Sequence, residues 1–190
     1  MRDPISSMPH TVRVHPDVIV QAIVAADEPH AMSGAWRVLP GLFLSDKKVA
    51  AVGSDFRKHS PVTLIINLTT SIDTMDAPGK TRVSRFRVRD SQNPTQLAKM
   101  KEYLGQAVEA AREEIAGGGT VLVHCHMGKH RSASVAAAYL IRMTGCTVEA
   151  AVRSIRFCTR GHAFDSSTLH FGDILDSFHH ECSRNKVDGP

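Results

Sequence analysis

An α/β fold, with a central mostly parallel twisted sheet flanked by helices, is what three features of this sequence predict. Short apolar runs rich in β-branched residues, at 62–68 and 121–124, have the length and composition of buried strands. Longer segments repeat their apolar residues at helical spacing, most clearly Leu97, Met100, Leu104, Ala107 or Val108, Ala111 and Ile115. The two patterns alternate along the chain, with no internal repeat and no linker that would split it, so a single domain follows.

Residues 1–14 read as a flexible N-terminal tail, 15–182 as the domain and 183–190 as a C-terminal tail. Pro16 and Asp17 suit the first turn of a helix reaching about Ala26. Val18, Ile19, Val20, Ile23 and Val24 are β-branched and leave a strand over 17–24 open. Strands at about 37–44, a helix at about 46–57 and the buried strand at 62–68 come next. Residues 69–80 are a polar loop and 82–88 a strand. Asn93 and Pro94 read as the N-cap and first residue of a helix that Gly117, Gly118 and Gly119 stop. Beyond the 121–124 strand, helices at about 132–143, 147–157 and 167–181 complete the domain.

Composition agrees with one well-packed unit: 190 residues, 42% of them hydrophobic, suffice for a proper core. No apolar run is long enough to span a bilayer, and the N-terminus has no signal-peptide layout. Cys125, Cys146, Cys158 and Cys182 are irregularly spaced, which favours reduced thiols over a disulfide framework and a cytoplasmic or nuclear setting. A net charge of +4 is modest. It fits anionic substrates and gives no reason to expect a nucleic-acid partner.

The most informative stretch is 121–132, where the apolar strand ends in Cys125, five residues intervene, and Arg131 and Ser132 open a helix. This order makes a phosphate-binding loop between strand and helix. The N–H groups of His126, Met127, Gly128, Lys129, His130 and Arg131 turn inward, and the positive end of the helix faces the same point. Arg131 can grip two phosphate oxygens with one guanidinium. A thiol in such surroundings ionises more readily, so Cys125 suits nucleophilic attack on phosphorus. Ser132 is placed to hydrogen-bond the sulfur and help it leave. Gly128 gives the loop a backbone geometry that a Cβ would obstruct.

From His124 to Ser132 the chain resembles the cysteine-based protein tyrosine phosphatase superfamily, specifically its dual-specificity protein phosphatases, whose signature His-Cys-x-x-Gly-x-x-Arg-Ser is present. Residues 36–45 resemble that family's opening strand pair, 62–68 its next buried strand and 138–140 its helix after the loop. The likeness covers about 12–180. It implies hydrolysis of phosphotyrosine and phosphoserine/threonine in proteins through a cysteinyl-phosphate, with no metal and no cofactor. It also implies a general acid at Asp90, between the 82–88 strand and the Asn93 helix start; Asp73, Asp76 and Asp165 are alternatives. His124 is a supporting residue beneath the loop, and Arg156 or Arg160 is the candidate for a second phosphate site. The family's common Pro-Asn pair after that arginine is replaced by residues 161–165, Gly-His-Ala-Phe-Asp.

Other uses of these residues stay open. His126, Lys129 and His130 make the loop unusually cationic, which would also suit inositol phosphates, inositol pyrophosphates or phosphoinositides. Arg85, Arg87 and Arg89 alternate along one strand and read as a solvated edge, or as an attractor of acidic substrates. The cluster of His124, Cys125, His126 and His130 has metal-ligand types, but its spacing matches no zinc layout. A non-catalytic phosphate-binding module is the third class, and intact Cys125, Arg131 and Ser132 argue against it. Cys146 or Cys158 could resolve an oxidised Cys125.

Overall fold

A computed structural model describes residues 31–32, 34–51, 54–70, 81–165 and 169–187. The expected tail at 1–14, the helix or strand near 16–26, and Asp73 and Asp76 lie outside these. The described elements are β1 (Ala31–Met32), β2 (Ala35–Leu39), β3 (Leu42–Ser45), α1 (Lys47–Ala50), α2 (Asp55–His59), β4 (Leu64–Asn67), β5 (Arg82–Arg85), α3 (Pro94–Ala116), β6 (Val121–His124), α4 (Arg131–Thr144), α5 (Val148–Cys158) and α6 (Gly172–Val187).

The strands form one six-stranded sheet in the order β1-β2-β3-β6-β4-β5. The pairs β3–β6, β6–β4 and β4–β5 are parallel, and β1–β2 and β2–β3 antiparallel, so the mostly parallel α/β fold expected from sequence is present. Alternation along the inner strands sorts their side chains onto two faces. Leu42, Leu44, Leu64, Ile66, Val121 and Val123 join the main core with α3, α4, α5 and α6. Phe43, Ile65 and Leu122 join Ala50 and Phe56 in a smaller core under α1 and α2. Helix α4 is buried at every residue from Arg131 to Ile141, and its alanines let neighbouring helices approach closely. Among the described residues no helix is long and apolar enough to cross a membrane.

The strand pair expected over 36–45 is present as a hairpin turning at Gly41, where φ is +81°. Three boundaries differ from the sequence reading. The helix expected at 46–57 is two short helices because two caps compete. The Asp46 carboxylate accepts from the N–H groups of Lys48 and Val49, and the Ser54 hydroxyl starts α2 by accepting from Arg57. The strand expected to reach Val88 leaves the ladder after Arg85, since its partner β4 ends at Asn67. The last helix begins at Gly172 rather than 167 and continues to Val187. Cys182 is buried on it, and Gly189 and Pro190 are the first breakers beyond, so the helix runs past the boundary expected at 182.

Candidate active site

Strand β6 is paired on both sides and ends with His124 level with Ser45 and Asn67, which puts Cys125 at the carboxyl end of the sheet's centre. The sulfur is fully buried. It accepts hydrogen bonds from the Gly128 N–H at 3.2 Å and the Ser132 hydroxyl at 3.2 Å. Gly128 has φ +75°, and a Cβ there would stand 3.0 Å from the Ser45 carbonyl oxygen and 3.2 Å from the Asp46 nitrogen. The loop therefore passes too close to β3 for any side chain at this position. Its outer side is tied down as well, since the Lys47 N–H donates to the His126 carbonyl and the Phe164 N–H to the Lys129 carbonyl.

Arg131 is 7% exposed, and its Nη1 donates to the carbonyls of Leu68 at 3.1 Å and Val88 at 3.0 Å. These two bonds fix the guanidinium plane between the residue after β4 and the segment that follows β5. Its Nε is buried and makes no hydrogen bond among the described residues, with the Asp90 carboxylate 3.6 Å away. A buried cationic donor without a hydrogen bond is a place for an anionic acceptor.

Asp90 lies where the sequence reading puts it, on the turn after β5, with its carboxyl 25% exposed. Oδ2 is 3.6 Å from Arg131 Nε, and Oδ1 is 3.0 Å from His170 Nδ1. The Arg89 N–H, donating to Gln96 Oε1, ties the turn to α3. The structure thus brings Cys125, Arg131, Ser132 and Asp90 into one cluster at the ends of parallel strands, where open α/β sheets place their ligands.

The other predicted residues divide. His124 is fully buried beneath the loop. Its Nδ1 meets the Cys125 carbonyl at 3.2 Å, and because a carbonyl only accepts, this nitrogen carries the proton. Burial pushes the His124 pKa down to about 4, so the ring is neutral at physiological pH. His126 is exposed, and Met127 is half-exposed at the rim. Lys129 pairs with Asp165, whose carboxyl is held below its usual range by that hydrogen bond. Asp165 is therefore committed to the loop lysine and is a poor substitute acid. Arg156 donates from Nε to the Phe164 carbonyl at 3.0 Å, bracing the segment that packs on the loop; Arg160 is exposed with φ +52°. The residues that stand where a Pro-Asn pair was expected take part in this brace. His162 stacks on Trp36 at 4.4 Å and places Nε2 2.8 Å from the Met127 carbonyl.

The cluster of metal-ligand types read from sequence does not assemble, since His124 faces the interior and His126 the solvent. Sequence reasoning missed His170, which contacts Asp90 and stacks on His130 with ring centroids 4.1 Å apart. It also missed the Leu68 and Val88 carbonyls, which no side-chain motif can reveal.

The family model "Dual specificity phosphatase, catalytic domain" matches residues 42–170, about two thirds of the chain and the whole of this site. The chain belongs to the dual specificity phosphatase family. It is 34% identical to human Protein phosphatase Slingshot homolog 3 over 122 residues, covering 64% of this chain and 18% of that protein. Mouse Dual specificity phosphatase 28 is 32% identical over 121 residues, 63% of this chain and 70% of the relative. The crystal structure of human DUSP28 superposes with a TM-score of 0.66 at 26% identity, over 83% of this chain and 99% of that one. The chain thus matches a catalytic domain of the dual specificity type and spans only a small part of the Slingshot relative.

Proposed function

We propose that this protein is a phosphatase hydrolysing phosphotyrosine and phosphoserine/threonine in proteins, with Cys125 as nucleophile. The observation that supports this best is the pair of donors on the Cys125 sulfur, together with a buried Arg131 guanidinium whose Nε makes no hydrogen bond among the described residues. A phosphate oxygen would take that Nε and displace the Asp90 carboxylate from it. The displaced Asp90 carboxylate takes up a proton from solvent; the Cys125 thiolate then attacks phosphorus, forming an S–P bond as the ester P–O bond breaks, and Asp90 gives that proton to the leaving oxygen. In the second step Asp90 takes a proton from water, whose oxygen attacks phosphorus as the S–P bond breaks. The Ser132 hydroxyl stabilises the departing sulfur. Arg131 and the inward N–H groups supply the positive charge, so neither step calls on a metal or an organic cofactor.

Relatives named dual specificity phosphatases and protein phosphatases support phosphoproteins as the substrate class. Inositol phosphates are the weaker reading because Lys129, which motivates it together with His126, has its ammonium engaged by Asp165. The assay is phosphate release from a phosphotyrosine peptide, a phosphothreonine peptide, a phosphatidylinositol phosphate and an inositol pyrophosphate, by wild type, Cys125→Ser and Asp90→Ala. Peptide turnover abolished in the first variant and strongly reduced in the second is the expected outcome. Turnover of inositol substrates alone would replace it with the second reading, and phosphopeptide binding without turnover would favour a non-catalytic module.

A further inference from the structure

We propose that Asp90, His130 and His170 form a binding site for a zinc ion, and that occupation of this site switches the enzyme off by capturing its general acid. The binding claim stands on the geometry; the switching claim rests on the phosphatase reading above. The three side chains come from separate places: the turn after β5, the last residue of the loop before α4, and the turn before α6. Their candidate ligand atoms all lie within 4.8 Å of one another. Two imidazoles and one carboxylate suit zinc among the common cations, whereas magnesium and calcium prefer sets made of oxygen.

Bonds of about 2.1 Å around a tetrahedral zinc put its ligand atoms about 3.4 Å apart. His170 Nδ1 and Asp90 Oδ1 are already 3.0 Å apart. The two rings are stacked, 16° from parallel, so one of them has to turn to aim at a common ion. Side-chain rotation accomplishes this. His130 Nδ1 makes no hydrogen bond among the described residues that would resist it. His170 is 31% exposed and lines a cleft of about 320 Å³ with Gln92, Leu97 and Asp173, which gives the ring room and the ion a route. Three protein ligands leave a position for water, the pattern of an exchangeable ion rather than a closed structural one.

Asp90 is the shared part. A carboxylate oxygen bound to zinc cannot carry the proton that the leaving group needs, so the ion and the first chemical step exclude one another. Catalysis by the metal-free protein and inhibition by zinc are then two states of one side chain.

Cys125 could itself bind zinc, so the test is made on the full chain carrying Cys125→Ser. Cobalt(II) is titrated as a spectroscopic stand-in and then displaced with zinc. Visible ligand-field bands that zinc abolishes are expected. Adding His170→Ala should weaken binding by roughly 10–100-fold or more, since even outer-shell partners of a metal site are worth that much. Thermal unfolding of each variant checks that it is folded, and His130→Ala provides an independent second removal. In the otherwise wild-type enzyme, zinc should inhibit peptide turnover, chelator should restore it, and His170→Ala should raise the inhibitory concentration by the same factor as the loss in affinity. Absent bands, or an affinity indifferent to both histidines, would overturn the site. Binding at this site without inhibition would overturn the switch. A chelator-treated wild type that turns over no phosphorylated substrate would instead bring down the phosphatase reading, with the cobalt titration still deciding the site.

Discussion

Cys125 is fully buried at the end of the sheet's central strand, whereas the Asp90 carboxyl is one quarter exposed on a turn outside the ladder. The sulfur's surroundings are set by the backbone: a glycine with positive φ pressed against β3, carbonyls of β6 and the loop tied to neighbours, and Arg131 locked by two main-chain oxygens. Among the described residues the Asp90 carboxyl is held by two side chains, one guanidinium and one imidazole. The difference fits the proposed chemistry. Attack at phosphorus needs a fixed distance, which a packed interior supplies. A group that gives a proton in one step and takes one in the next must reach different oxygens, which a solvent-edge turn allows.

Four experiments would break or sharpen this contrast. Cys125→Ser should lower turnover by roughly 10⁴-fold or more, as loss of a covalent nucleophile does, with the folded structure retained. Steady-state assays with thermal unfolding check both halves, and residual turnover near wild type would remove Cys125 from the mechanism. Asp90→Asn should cost about 10²–10⁴-fold in kcat, least for aryl phosphates whose leaving group needs little help. An equal loss for good and poor leaving groups would deny Asp90 the role of acid.

Gly128→Ala tests the rigid half. Positive φ and the contact with Ser45 should strain the loop by about 1–3 kcal/mol and misplace the sulfur's donor, costing about 10²-fold in kcat with a lower Tm. A fully active, fully stable alanine variant would show the loop to be looser than described.

The fourth effect is on stability. His124 has a folded pKa of about 4, below the value of 6.5 for a free histidine. Above pH 6.5 both folded and unfolded chains keep this ring neutral. As pH falls from 6.5 towards 4 only the unfolded chain takes the proton, so stability is lost through that window, by about 3 kcal/mol at most. Burial also lowers the pKa of His130, which acts in the same direction. Urea unfolding at pH 7 and pH 5 should show a smaller loss in His124→Gln than in wild type. Equal losses would mean that the buried ring is not kept neutral.

The same contrast decides what could be read from sequence. Cys125, Gly128, Arg131 and Ser132 are contiguous, and the strand before and helix after them carry their own signals, so that half of the site was legible. Asp90 needed a family likeness, because an aspartate after a strand is also an ordinary turn residue. His170 could not be read at all: it meets Asp90 across 80 residues of chain, and a lone histidine near a helix start predicts no contact. The broken helix near 46–57 failed for a local reason, since Ser54 reads as a helical residue until its hydroxyl is seen capping α2. The length of the final helix was underestimated because its last turn has neither a breaker nor an apolar stripe to mark its end.

The central claim, that Cys125 attacks phosphorus, is met most directly by trapping the intermediate. Asp90→Ala, which should slow both steps, is mixed with a phosphotyrosine peptide, quenched in acid within a turnover, digested and examined by mass spectrometry. A phosphoryl group on the peptide containing Cys125, absent from Cys125→Ser, is the predicted result. Phosphate release that proceeds in wild type with no such adduct under any quench, or with an adduct on another residue, would contradict it.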